Sequence, residues 1–231
     1  VPRSLGLTRI VLVEDHALFA EALDVALTLE GHQVQRVSPT SGPMTTAQLV
    51  NAALRSRPRI VLLDLDLGPA GDGVRLITPL VDASVAVVVV TASTDRARWG
   101  DCLRQGARTV LPKSTPLNTI LATIRRIGEG QRVMPREERD LLVAAFHDEN
   151  RWLQHTRERL ESLTTREREV LARLMAGRTV REIARESFVS EATVRTQVKS
   201  ILSKLEVSSQ IAAVGAAMKA RWRPPALRDR L

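Results

Sequence analysis

Ile60-Val61-Leu62-Leu63-Asp64-Leu65-Asp66 is the stretch on which the fold turns: four aliphatic residues in a row, ending on a carboxylate. An apolar run without alternation is the pattern of a strand buried on both faces, as in a parallel sheet. The carboxylate then sits at the carboxyl end of that strand, where open parallel sheets bind their ligands. Short runs rich in Val, Ile and Leu lie at 9–13, 33–37, 59–63, 85–90 and 109–111. Helical patterns fall between and after them, near 17–30, 45–56, 73–81, 95–105 and 116–128. Strict alternation of the two predicts an α/β fold, a doubly wound, parallel, five-stranded sheet.

The second half has no strand pattern. Thr164-x-x-Glu167 and Thr179-x-x-Glu182 read as capping boxes, and Ser190 and Ser208 as helix N-caps. Gly177 stands where a helix carboxyl end favours glycine. Four helices are expected, at about 165–176, 180–187, 191–205 and 208–220, with Pro224-Pro225 stopping the last. Between the halves, after Pro135, Leu142, Phe146, Glu149, Leu153, Thr156, Leu160 and Leu163 recur at alternating steps of four and three. That spacing fits a helix at 137–162, either a short dimerising coiled coil or an amphipathic helix docked on its own domains. The short run and two polar seam positions favour docking. The expected domains are therefore 8–128, a helical linker 129–162, an all-α domain 163–221 and a basic tail 222–231.

Charge follows the same division. The chain carries a net +8, and residues 131–231 hold 20 basic and 14 acidic side chains against 14 and 12 in residues 1–130. A basic second half suits a phosphate-binding surface, because cationic contacts release counterions from nucleic acid. A solvated basic face would look the same. Cys102 is the single cysteine, which excludes an intramolecular disulfide framework and a thiolate metal cluster and fits a reducing cytoplasm. His16, His32, His147 and His155 show no metal-ligand spacing. The longest aliphatic run, 85–90, is too short to span a bilayer, so no membrane partner is expected. Residues 1–4 lack the apolar stretch of a secretory signal and read as an alternative start or a cloning scar outside the fold.

The predicted strand ends carry a specific set: Glu14 and Asp15 after the first, Asp64 after the third, Thr91 at the fourth and Lys113 after the fifth. Clustered carboxylates repel unless a cation joins them. Hard oxygen donors in small number suit Mg²⁺, which keeps waters and shares a phosphate. A hydroxyl and an ammonium beside them would stabilise a phosphoryl group.

Val13-Glu14-Asp15-His16, Leu62-Leu63-Asp64-Leu65, Val90-Thr91-Ala92-Ser93 and Leu111-Pro112-Lys113-Ser114 together resemble the receiver domain of two-component response regulators, over about 8–128. The resemblance implies a flavodoxin-like receiver fold. It implies that Asp64 takes a phosphoryl group from a sensor histidine kinase, and that Asp15, Asp64 and the backbone carbonyl of Asp66 ligate Mg²⁺, with Glu14 acting through water. It assigns Lys113 to the carboxylate or phosphoryl oxygens and the Thr91 hydroxyl to the phosphoryl group. Two departures stand out. Pro69 comes five residues after Asp64 where the family usually places proline four after, which predicts a rerouted loop. Val110 occupies a position often aromatic in the family.

In 190–205, Val194, Val198, Ile201, Leu202 and Leu205 share one helical face, and Ala192, Arg195, Thr196 and Lys199 the opposite one. The second stripe is small, polar and cationic, as a major-groove helix requires. The stretches Leu163–Leu171, Glu182–Ala184, Val189–Val194 and Lys204–Val207 resemble the LuxR-type helix-turn-helix, and the whole architecture resembles the NarL/FixJ response regulators. The resemblance makes Arg195, Thr196 and Lys199 the first DNA contacts and Thr193 and Gln197 the second. It also implies double-stranded DNA with an inverted repeat as partner, a homodimer through the last helix when active, and RNA polymerase as a further partner at a promoter. Other classes remain open on the residues alone: a pseudo-receiver regulated without phosphorylation, a metal-dependent phosphohydrolase, an acyl-signal sensor and an adaptor with an idle DNA surface. The hydrolase lacks a second acid for the leaving group. The sensor reading lacks aromatics, since residues 1–130 hold only Phe19 and Trp99.

Overall fold

The computed structural model describes residues 8–39 and 44–224. The readings of residues 1–4, Pro225 and most of the basic tail lie outside that range. In chain order the first part runs β1 (Arg9–Val13), α1 (Ala17–Leu29), β2 (Gln33–Val37), α2 (Thr46–Leu54), β3 (Ile60–Leu63), α3 (Val74–Asp82), β4 (Ala86–Thr91), α4 (Arg96–Arg104), β5 (Thr109–Pro112) and α5 (Leu117–Gly128). All four strand pairings are parallel, in the order β2-β1-β3-β4-β5. This is the doubly wound order with its switch point between β1 and β3.

Alternation along each strand explains the two layers. Val11, Val13, Val61, Leu63, Val87 and Val89 point to one face and pack with Leu49, Ile77 and Leu103 of α2, α3 and α4. Ile10, Leu12, Leu62, Val88 and Val90 point to the other and pack with Leu23, Leu27, Ile120 and Ile124 of α1 and α5. Each such buried side chain contributes about 1.5–3 kcal/mol. Cys102 is sealed in the first layer, and burial pushes its thiol up to about 12.

Then come α6 (Arg136–Glu161), α7 (Thr165–Met175), α8 (Val180–Glu186), α9 (Glu191–Leu205) and α10 (Gln210–Lys219). Contacts divide the chain into two compact units inside α6, between His147 and Asp148. Segment 129–162 is divided between the two units at that point. Within the first unit, Leu142 is buried in the core beneath the sheet, Arg139 donates to the Ala107 carbonyl at 3.0 Å, and the Arg104 guanidinium lies 4.9 Å over the Phe146 ring. Within the second, Leu160 is buried, Leu153 packs beside it, and Glu149 pairs with Lys219 at 2.9 Å. The heptad residues Leu142, Leu153 and Leu160 each pack within their own unit.

Both capping boxes form. Thr164 and Glu167 satisfy each other's amides, as do Thr179 and Glu182. One cap is corrected: Ser209, not Ser208, caps α10, its hydroxyl accepting from the Ala212 amide at 3.1 Å. Two adjacent serines are equivalent in propensity, and the helix entry alone selects between them.

Candidate phosphoacceptor site and nucleic-acid interface

The parallel register brings Val13, Leu63 and Val89 level, so the residues that follow them meet at one edge of the sheet. Asp64 is only 2 % exposed. Its Oδ1 accepts from the Leu65 amide at 2.7 Å and its Oδ2 from Lys113 Nζ at 2.8 Å. Lys113 also donates to Glu14 Oε1 at 2.8 Å. Burial works against the Lys113 charge, but the bonds to Asp64 and Glu14 outweigh it and raise its pKa. Glu14 is raised as well, first by burial and then by the Asp64 charge, against the pull of Lys113 and the His16 amide.

Glu14, Asp15, His16 and Asp64 bring donor atoms within 4.8 Å of one another. Asp15 Oδ1 is buried and lacks a hydrogen-bonding partner among the described residues. His16 Nδ1 stands 2.7 Å from it, but without hydrogen-bond geometry. An orphaned carboxylate oxygen beside two more carboxylates is the donor set of a hard divalent cation. Thr91 is fully buried at the end of β4, and its hydroxyl oxygen accepts from the Ser93 amide at 3.1 Å, which leaves its proton to donate.

The loop after Asp64 takes a definite form. Gly68-Pro69-Ala70 make a single 3₁₀ turn, and Asp66 faces Asp72 across an antiparallel bridge. The ladder bonds run from Leu67 to Gly71 and from Gly73 to Leu65, so the Asp66 carbonyl points away from Asp72. Gly73 permits this, since a Cβ there would stand 2.1 Å from the Asp64 carbonyl oxygen. Arg98 at the start of α4 holds the loop, donating to Asp66 and Asp72 at 3.0 Å and to the Leu65 carbonyl at 3.1 Å. Val110 is buried in the core.

Sequence reading missed three members of this site. His16 touches Asp15 and Glu14, Phe19 lies under Lys113 at 5.2 Å, and Arg98 clamps the loop. His16 lies inside a quoted motif and was the one that could have been found.

In the second unit, Val194, Val198, Ile201 and Leu205 of α9 are buried, with Leu202 packed against them. Ala192, Thr193, Arg195, Thr196 and Lys199 are exposed, and Gln197 is half-buried. Thr196 donates back to the Ala192 carbonyl at 3.0 Å, and Arg195 reaches Glu191 at 3.3 Å. Lys199 has no carboxylate within 4.0 Å among the described residues. Glu167 anchors α9 on α7: it is 6 % exposed and accepts from Ser200 and Lys204, both at 2.7 Å.

Comparison with known proteins agrees with both halves. The family described as "Response regulator receiver domain" matches residues 10–125, and "Bacterial regulatory proteins, luxR family" matches 161–217. A probable transcriptional regulatory protein NarL of Mycobacterium tuberculosis is 31% identical over 215 residues, covering 92% of this chain and 94% of that protein. A nitrate/nitrite response regulator protein homolog of Haemophilus influenzae is 29% identical over 210 residues, covering 89% and 93%. Among solved structures, the Salmonella typhimurium RcsB response regulator superposes with a TM-score of 0.50 at 20% identity, over 92% of this chain and 98% of that one, a likeness of fold alone. The chain belongs to the two-component response regulators, with a receiver domain followed by a LuxR-type DNA-binding domain. Within them it falls with the NarL-like transcription regulators.

Proposed function

We propose that this response regulator is switched by phosphorylation of Asp64, with a sensor histidine kinase as phosphodonor. The observation that carries the reading is the ring of Asp64, Lys113 and Glu14 beside the orphaned Asp15 oxygen. In the transfer, an Asp64 carboxylate oxygen forms a bond to phosphorus while the bond from phosphorus to the donor imidazole nitrogen breaks. Lys113 neutralises charge on the resulting acyl phosphate, and the Thr91 hydroxyl turns to donate to it. Asp15, Asp64 and the Asp66 carbonyl would hold Mg²⁺, with Glu14 through water; the ion supplies charge neutralisation to the phosphoryl oxygens. The chain phosphorylates its own carboxylate and turns over no external substrate in this scheme. Mass spectrometry after treatment with a small phosphodonor and Mg²⁺ tests it. One phosphoryl adduct on the wild type and none on Asp64→Asn is expected; no adduct, or an equal adduct on the variant, contradicts it. Buried Val110 and the Arg98 clamp favour the pseudo-receiver as second reading, and the same spectrum decides between them.

On DNA, the proposed contacts are Arg195, Thr196 and Lys199, with Thr193 and Gln197 secondary. The exposure of the first three and of Thr193 supports this. Half-buried Gln197 has less reach. RcsB is described as two dimers bound to two parallel DNAs. A twofold dimer of this chain would read inverted half-sites about one helical turn apart, ~10 bp. The exposed Ile211 and Met218, seven residues apart on α10, support a contact through that helix. The chromosome as partner places the protein in the cytoplasm, and no described helix is long and apolar enough to cross a membrane. RNA polymerase would be met at the promoter.

A further inference from the structure

Phe188 occupies a left-handed helix-end position that this chain fills elsewhere with glycine and also with Ser84, Glu206 and Arg221. At the end of α8 the Phe188 amide donates to the Arg185 carbonyl at 3.3 Å and the Val189 amide to Ala184 at 3.0 Å, with Phe188 at φ 54°. At the end of α7 the same pair of bonds runs from Gly177 to Leu174 at 2.9 Å and from Arg178 to Arg173 at 3.0 Å, with Gly177 at φ 78°. Both are Schellman motifs, whose left-handed residue is unstrained only as glycine. Phe188 therefore costs the fold free energy at its backbone. Its side chain returns nothing, since the residue is 87 % exposed, next to the exposed Val189. Ser84, Glu206 and Arg221 share this backbone strain, so what distinguishes Phe188 is its large ring left in solvent beside the exposed Val189, the mark of a surface that meets a partner.

Its surroundings choose the partner. Phe188 stands two residues before Ser190, the N-cap of α9, at the end of the helix that leads into the groove. The neighbouring acids are engaged: Glu182 in its capping box, Glu186 with Arg173 and Arg178 at 3.4 and 3.2 Å, and Glu191 with Arg195. Arg181 and Arg185 of α8 are exposed and have no carboxylate within 4.0 Å among the described residues. An exposed ring on a segment carrying two unpaired cations fits a polyanion with apolar edges better than an apolar protein groove. We propose that Phe188 is a DNA-contacting residue whose ring packs on the deoxyribose edge of the strand bordering the major groove, with Arg181 and Arg185 on flanking phosphates. This rests on the reading of α9 as the groove helix.

The test is binding of the full chain to mixed-sequence, AT-rich and GC-rich duplexes across a salt series, with thermal unfolding of each variant. Phe188→Gly suits the left-handed backbone, so it is expected to unfold at the same temperature or higher. It should bind all three duplexes about tenfold more weakly, with an unchanged salt slope because no charge is lost. Phe188→Leu keeps an apolar group and should retain most of the affinity. Lys199→Ala is run in parallel. If it weakens binding while Phe188→Gly binds like the wild type, Phe188 is not a contact and the groove helix stands; if neither weakens binding, both readings fail. Loss by Phe188→Gly on the AT-rich duplex alone would move the contact to a thymine methyl and overturn the sugar-edge proposal. Equal loss by Phe188→Gly and Phe188→Leu with a lowered unfolding temperature would show a structural role instead.

Discussion

At Glu167 one buried carboxylate serves two elements. It completes the cap of α7 and receives Ser200 and Lys204 from α9. Burial alone would raise its pKa, but these bonds hold it at about 2 against an ordinary 4.5. A depressed carboxylate stabilises the fold fully above its unfolded value, and that stability is lost as pH falls from 4.5 through about 2. Glu167→Gln should cost about 3 kcal/mol at neutral pH and flatten the acid limb between those values. Unfolding curves at pH 7 and pH 3 check this; an undiminished pH dependence in the variant rules out the assignment. Lys199→Ala, on the exposed face, should weaken DNA binding and, if its contact is to phosphate, lower the salt slope by about one. Gel shifts across salt that match the wild type remove it from the interface. The capping role of Glu167 was legible as Thr-x-x-Glu, but its grip on α9 was not, because the partners are 33 and 37 residues away. Arg98 was illegible for the same reason: only the folded sheet edge places it against Asp66 and Asp72.

Strands and helices were legible almost throughout, since unbroken aliphatic runs and strong caps specify them locally. The role of α6 was only half legible. Its heptad spacing fits a coiled coil and a docked helix, the short run and polar seam positions lean to docking, and the decision belongs to the surfaces it meets. Gly100 of α4 is one of those surfaces: a Cβ there would stand 2.0 Å from the Leu142 carbonyl oxygen. Gly100→Ala must push α6 away from α4 and should destabilise the receiver unit by about 1–3 kcal/mol. Hydrogen exchange should then accelerate over 136–147, and wild-type protection there would show that the docking is not needed. The loop after Asp64 was anticipated as rerouted from the displaced Pro69, but its hairpin form depends on Gly73 pressing against the Asp64 carbonyl.

For the whole molecule, the proposed function requires that the phosphorylation state of Asp64 set the affinity for DNA. The receiver site can act through the loops that hold Thr91 and Arg98, a local change of charge with a wider readout. Phosphorylation and DNA binding of the full chain, followed together in one titration with phosphodonor and Mg²⁺ for the wild type and Asp64→Asn, test this. Wild-type affinity is expected to change in proportion to the phosphorylated fraction while Asp64→Asn stays at its starting value. Affinity that is indifferent to the phosphorylated fraction, or that changes equally in Asp64→Asn, would contradict it.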